Sequence, residues 1–195
     1  MARSYRTEKP SVLAIYRIPR DRDNRFVYPR VIARRPSPGD VHPLSKQSLS
    51  GILRQTPIEY LYGLKRIELR PRRNNKIGEP FGCYLPNEKT IWLYSLPPIW
   101  RMKEIPPGLR HNVKSFGAAV VNVNDSVEVR WLESESAYVD VWFLTIFMHE
   151  LGHHFVEQYR NQRGRIGGRR HEELVADLRS VRLFNQYADL VLDRG

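Results

Sequence analysis

An α+β fold follows from three observations on this 195-residue chain. Residues 139–148 are almost wholly apolar and run without a proline into His149-Glu150-Leu151-Gly152-His153. A helix apolar on nearly all sides is one packed in a core. Before it come short segments of alternating polarity, paired across turn residues, as strands of a half-buried sheet are. After it, from Glu173, comes a second helical pattern. The predicted arrangement is a small, mostly antiparallel sheet packed on the buried helix, with a C-terminal helix beyond it.

Residues 1–43 are rich in arginine and proline and read as an N-terminal extension to a domain spanning 44–195. Within the extension, residues 12–18 and 26–32 suit a hairpin, and Arg35-Pro36-Ser37-Pro38-Gly39-Asp40 suits a turn. Residues 45–55 suit a short helix with Leu49, Ile52 and Leu53 on its apolar side, and residues 57–62 a further helical turn. The alternation of residues 64–70 predicts a strand. Residues 81–85 and 90–94 predict a hairpin across Pro86-Asn87-Glu88-Lys89; residues 118–123 and 127–131 predict another, turned by Asn124-Asp125-Ser126. Between the hairpins, Pro97-Pro98 and Pro106-Pro107-Gly108 bracket a stretch containing Trp100 that reads as a surface connection. Residues 161–170, with three glycines and four arginines, read as a mobile basic loop. In the last helix Leu174, Val175, Leu178, Val181, Leu183, Phe184 and Leu190 are the expected core positions.

The chemistry rests on H-E-x-x-H. Residues four apart on a helix lie one turn apart on one face, so His149 and His153 can present two imidazoles to one metal ion. Glu150 can then reach a water on that metal rather than the metal itself, the arrangement at work in zinc metallopeptidases. Catalytic zinc takes three protein ligands and leaves one position open. The third ligand is expected at Glu173, twenty positions after His153. Asp177, one turn further on, would accept the free ring N–H of a ligand histidine and fix its tautomer. Glu172 and His171 are weaker rivals, since neither has a carboxylate four residues on. His154 points about 100° away from His153 and reads as a surface or packing histidine. A third histidine at the spacing H-E-x-x-H-x-x-G-x-x-H is excluded, because Val156 and Tyr159 occupy those places. His171, Tyr187 and Tyr159 are the candidate donors to an oxyanion.

H-E-x-x-H followed by Glu173-x-x-x-Asp177 resembles the gluzincin group of zinc metallopeptidases. The wording His149-Glu-Leu-Gly-His-His154 with Glu173-x-x-Ala-Asp177 is similar to small bacterial peptidase domains of the ImmA/IrrE type. The resemblance covers roughly residues 60 to 190; Arg179 and Ser180 stand where a Phe-Ala pair is typical. It implies a minimal zincin-like domain, one zinc per chain and Glu150 as general base. It also implies a strand beside the cleft that holds substrate in extended form, expected at residues 81–85, with the second hairpin as the other choice.

Composition bounds the partners. A single cysteine, Cys83, excludes an internal disulfide and suits a reducing compartment. No secretory signal opens the chain and no apolar run reaches membrane-spanning length, so a soluble cytoplasmic protein with no membrane partner is expected. The formal net charge is +11, from 32 basic and 21 acidic residues. Clusters fall at Arg17, Arg20, Arg22, Arg25, Arg30, Arg34 and Arg35, at residues 65–76 and at residues 160–170. Charge of this size suits an acidic protein or a nucleic acid as partner. Two function classes follow. The first is a zinc metallopeptidase selective for a particular intracellular protein or peptide. The alternative is a non-catalytic or gated zinc domain that binds nucleic acid or a partner protein through its basic surface.

Overall fold

A computed structural model describes residues 28–72, 80–131, 136–160 and 169–192; side chains are not described for residues 136–139, 159–160, 169–171 and 186–192. Seven strands and five helices are described: β1 (Arg30–Ala33), α1 (Lys46–Gln55), α2 (Ile58–Leu61), β2 (Arg66–Arg70), β3 (Gly82–Leu85), β4 (Thr90–Tyr94), β5 (Ile99–Met102), α3 (Pro107–Ser115), β6 (Ala119–Val123), β7 (Ser126–Arg130), α4 (Ser136–Arg160) and α5 (Arg169–Leu192). The α+β class therefore stands. Among the described residues no helix is long and apolar enough to cross a membrane.

Two small sheets replace the single one expected. The first has order β1-β2-β4-β3 and is mostly parallel: β1 with β2 and β2 with β4 run parallel, and only the β3–β4 hairpin is antiparallel. The hairpin inserts its second strand, so β4 lies beside β2 and β3 is left at the edge. β4 suits the centre, since Thr90, Ile91, Leu93 and Tyr94 are all buried. The second sheet, β5-β7-β6, is antiparallel throughout. Asn124 turns its β6–β7 hairpin at a positive φ of 51°, a conformation that asparagine tolerates better than most residues.

The stretch expected to be an extension contributes to the fold. β1, within residues 1–43, pairs with β2 from Arg30↔Arg66 to Ala33↔Leu69, and Val41 bridges Leu96. Residues 12–18 of the hairpin expected there, and residues 161–168 of the loop expected at 161–170, lie outside the described residues, while Arg169 and Arg170 open α5. The stretch read as a surface connection holds both β5 and α3. Trp100 on β5 is buried and packs on Phe81 at 4.8 Å and Trp142 at 4.9 Å, joining the second sheet to β3 and α4.

α4 is the central element. Phe143, Phe147 and Leu151 are fully buried in one core with Ile67, Leu69, Ile91 and Leu93 of the first sheet and Leu49, Ile52 and Leu53 of α1. Ser45 caps α1 by accepting from the Ser48 N–H at 3.0 Å. α5 crosses α4 where Gly152 meets Ala176, a contact so close that a Cβ at Gly152 would stand 2.6 Å from the Ala176 carbonyl oxygen. Ala176 and Leu183 form the buried line of α5. Leu174, Leu178 and Val181, expected in the core, are 54%, 63% and 59% exposed. At about 100° per residue they sit roughly 140–160° round from the line that α4 covers, on the far side of the helix, and an apolar period alone does not say which apolar side meets a neighbour.

Candidate metal centre

α4 presents His149 and His153 one turn apart, with ring nitrogens Nε2 2.9 Å from each other. The α4–α5 crossing at Gly152 and Ala176 brings Glu173 and Asp177 over the two rings. Glu173 Oε2 lies 3.5 Å from His149 Nε2 and 3.4 Å from His153 Nε2. Asp177 Oδ1 lies 2.8 Å from His149 Nδ1 and accepts its N–H. That leaves a lone pair on His149 Nε2, directed at the same point as the Glu173 carboxylate. Burial, helped by the neighbouring His149 and opposed by Glu173, holds the His153 pKa below the usual imidazole value, which favours its neutral form.

Among the described residues, His149, His153 and Glu173 are the group of three that could hold a metal ion. The donor set can be tested against zinc by its edges. Around a tetrahedral zinc with nitrogen and oxygen ligands, neighbouring donor atoms stand about 3.3 Å apart. The three edges here, 2.9, 3.5 and 3.4 Å, bracket that value. Two neutral imidazoles and one carboxylate are also the donor types a catalytic zinc takes.

Glu150 is 8% exposed and does not join that triangle. Burial pushes its pKa up to about 7, against the pull of His149 and of the Tyr84 main-chain N–H, which donates to it. A carboxyl group near neutrality is suited to exchanging protons. The Tyr84 contact exists because β3 lies directly on α4, and Gly82 permits it. A Cβ there would meet Ile146, Leu93 and the Glu150 Cγ at 3.0 to 3.2 Å.

Behind the metal face, His154 is fully buried. Its Nε2–H donates to the Tyr62 carbonyl at 2.9 Å, and its Nδ1 is 2.9 Å from the Tyr84 hydroxyl. That hydroxyl also contacts the Glu157 carboxylate, which Lys89 approaches to 2.6 Å. Tyr84 has one proton for two partners, and burial and Glu157 raise its pKa. Burial drives the His154 pKa down to about 4. Of the two plain readings open to His154, packing is the one the structure supports.

Two cavities meet at Pro80, Gly82, His149 and Glu150. One, of about 740 Å³, is walled largely by apolar groups: Phe81, Phe116, Trp142, Ile146, Val181 and Phe184. The other, of about 540 Å³, runs along Cys83, Tyr84 and Pro86 and is bounded by Glu157, Glu172 and Glu173. β3 spans both and is an edge strand, paired among the described residues with β4 alone. Neither β6 nor β7 contributes to either cavity.

The structure thus brings together His149, Glu150, His153, Glu173 and Asp177. The three candidate oxyanion donors, His171, Tyr187 and Tyr159, have backbones within α4 and α5, but their side chains lie outside the described part. Tyr84 and the α3 wall of the larger cavity, Leu109, Asn112 and Phe116, escaped sequence reasoning. The wall had a signal: Leu109, Val113 and Phe116 recur at helical spacing behind Pro107, which suits a first helical position. The chain matches no family model, no curated protein and no solved structure.

Proposed function

We propose that this chain is a zinc-dependent metallopeptidase, with His149, His153 and Glu173 as metal ligands and Glu150 as general base. The observation that carries this reading is the convergence of three donor atoms at zinc-like separations, with a buried carboxyl of raised pKa beside them. Zinc in such a ligand set acts as a Lewis acid and lowers the pKa of water. Glu150 takes the proton of the attacking water and returns it to the leaving amine. Asp177 holds His149 in the tautomer whose Nε2 faces the metal. The Tyr84 N–H, donating to Glu150, keeps that carboxylate turned toward the cleft.

A peptide would bind by adding to the free edge of β3 through main-chain bonds. Running antiparallel to β3, it places residues before the scissile bond near Tyr84 and Pro86. Residues after that bond fall in the larger cavity, whose apolar walls suit a large aliphatic or aromatic side chain. Apolar residues outnumber polar ones around that cavity, so binding there draws mainly on apolar burial. The proposed substrate is a protein or peptide, one particular intracellular protein being the expected class.

The test is metal content and cleavage together. Wild type should carry about one zinc per chain, the number one three-ligand site holds, and His149→Ala should carry none. Glu150→Gln should keep zinc and fold and lose cleavage of a quenched peptide library with large apolar residues after the cut. Zinc retained in full by His149→Ala, or wild-type cleavage by Glu150→Gln, would sink the proposal.

A further inference from the structure

The peptidase reading leaves the basic clusters unused, and the fold does something specific with two of them. The parallel pairing of β1 with β2 sets Arg30 directly opposite Arg66. Arg34, which follows β1, continues that pairing: its N–H donates to Leu69 O at 2.9 Å, beside Arg70. Residues alternate across a strand. Ile67, Leu69, Ile91 and Leu93 turn to the core, so Arg66, Glu68, Arg70 and Trp92 take the opposite face of the sheet. Clusters separated by more than thirty residues of chain are thereby merged into one arginine field.

One carboxylate sits at its centre. Glu68, with a side chain 6% exposed, is approached by Arg66 at 2.9 Å, Arg34 at 3.7 Å and Arg70 at 3.8 Å. Only the first is at hydrogen-bonding distance, so the forks of Arg34 and Arg70 are not used up on it. Glu88 takes a second contact from Arg66 at 3.0 Å. Two cross-strand arginine pairs against these two acids leave the face with an excess of positive charge. Like charges placed opposite one another cost stability. An anionic ligand would offset that cost, and arginine's planar fork suits phosphate. On the next strand, in register with Glu68, stands Trp92; the Arg70 guanidinium lies 3.9 Å over its ring.

We propose that this outer face of the first sheet is a docking site for single-stranded nucleic acid, with Arg30, Arg34 and Arg66 on phosphates and the stacked Arg70–Trp92 pair as a platform for a base. A flat sheet face offers no helix to enter a duplex groove, whereas splayed bases stack on aromatic rings and guanidinium planes. The site lies on the side of the sheet away from the metal centre and does not depend on the peptidase reading.

The test uses the full-length chain and a fluorescent oligothymidylate of about 16 nucleotides, the upper end of the site size of a small β module. Binding is followed by anisotropy at several salt concentrations. Wild type should bind, and the salt dependence should become shallower by about 0.7 for each arginine taken off a phosphate. Arg30→Glu/Arg34→Glu leaves the 2.9 Å contact of Arg66 with Glu68 in place, and a thermal melt checks that the fold is kept. It should weaken binding at least about tenfold, since two phosphates are left without their cations. Lys103→Glu/Lys114→Glu makes the same change in net charge at exposed sites off this face and should change affinity less than about threefold, the residual long-range effect. Arg70→Lys keeps the charge and loses the plane; it should weaken binding about fivefold or more if a base stacks there. Absence of binding at low salt, equal loss in the two double variants, wild-type affinity in Arg70→Lys, or tighter binding of duplex or of an acidic polypeptide would each overturn the proposal.

Discussion

Gly152→Ala is the sharpest probe of how the candidate metal centre is held. The added Cβ would lie 2.6 Å from the Ala176 carbonyl oxygen and 3.1 Å from its Cα. Carbon and carbonyl oxygen settle at about 3.3 Å, so α5 must retreat by roughly 0.7 Å. The obstructing atoms are backbone, and no side-chain rotation relieves them. Gly152 adjoins His153, and Ala176 adjoins Asp177, so the retreat falls on the site itself. The 2.8 Å contact between His149 and Asp177 would open to about 3.5 Å, past a useful hydrogen bond. Loss of such a partner typically costs about 10–100-fold in metal affinity, and overpacking costs about 1–3 kcal/mol of stability. Zinc affinity is read by competition with a chromogenic chelator. Stability is read by urea melts with excess chelator present, so that metal linkage does not enter. Gly51→Ala is the control: a Cβ there meets nothing within 4 Å on helix α1, and it should stabilise by about 0.5–1 kcal/mol. A Gly152→Ala protein that binds zinc as tightly as wild type would refute the claim that this crossing positions Glu173 and Asp177.

Further outcomes can be checked in parallel. Asp177→Asn should lower zinc affinity about 10–100-fold while leaving the melt in chelator unchanged, because the Asp177 side chain is 64% exposed and contributes through His149. His154 gives a pH dependence with a definite sign. Its pKa falls from 6.5 unfolded to about 4 folded, so the neutral ring is the form the fold holds. That contribution is fully present above pH 6.5 and is lost as pH falls toward about 4, on the order of 3 kcal/mol in all. In urea melts of metal-free protein the acid limb should be shallower for His154→Gln; an unchanged limb would refute the assignment.

The grouping of the candidate site residues was more legible than the fold around it, for physical reasons. The motif helix announces itself, because an apolar run that carries two histidines one turn apart and a glutamate beside the first has few other uses. The β3–β4 hairpin was equally plain from its alternation and four-residue turn. The parallel pairings were not, since nothing local to residues 64–70 says that β4 rather than β3 will lie beside it. β5 and α3 were hidden by the prolines at 97–98 and 106–107. Proline marks an element's first turn as readily as it marks a loop, and Pro107 does so for α3. On α5 the large residues Leu174, Leu178 and Val181 misled, while Ala176 made the closest contact. Small residues let helices approach, and a count of hydrophobic bulk passes over them. His154 looked redundant beside His153. Its role depends on Tyr62 and Tyr84, more than sixty residues upstream.

Tyr84 ties two things that usually vary independently. Its main-chain N–H is spent on Glu150, and its phenol is lodged between Glu157 and His154. Sliding β3 by a single residue would break the first tie and swing the phenol to the far side of the pleat. The edge strand is therefore indexed to the acid it borders. On the peptidase reading proposed above, a polypeptide that zips onto that edge would inherit the same reading frame, and the bond that meets Glu150 would be chosen by counting along a backbone before a side chain is sampled.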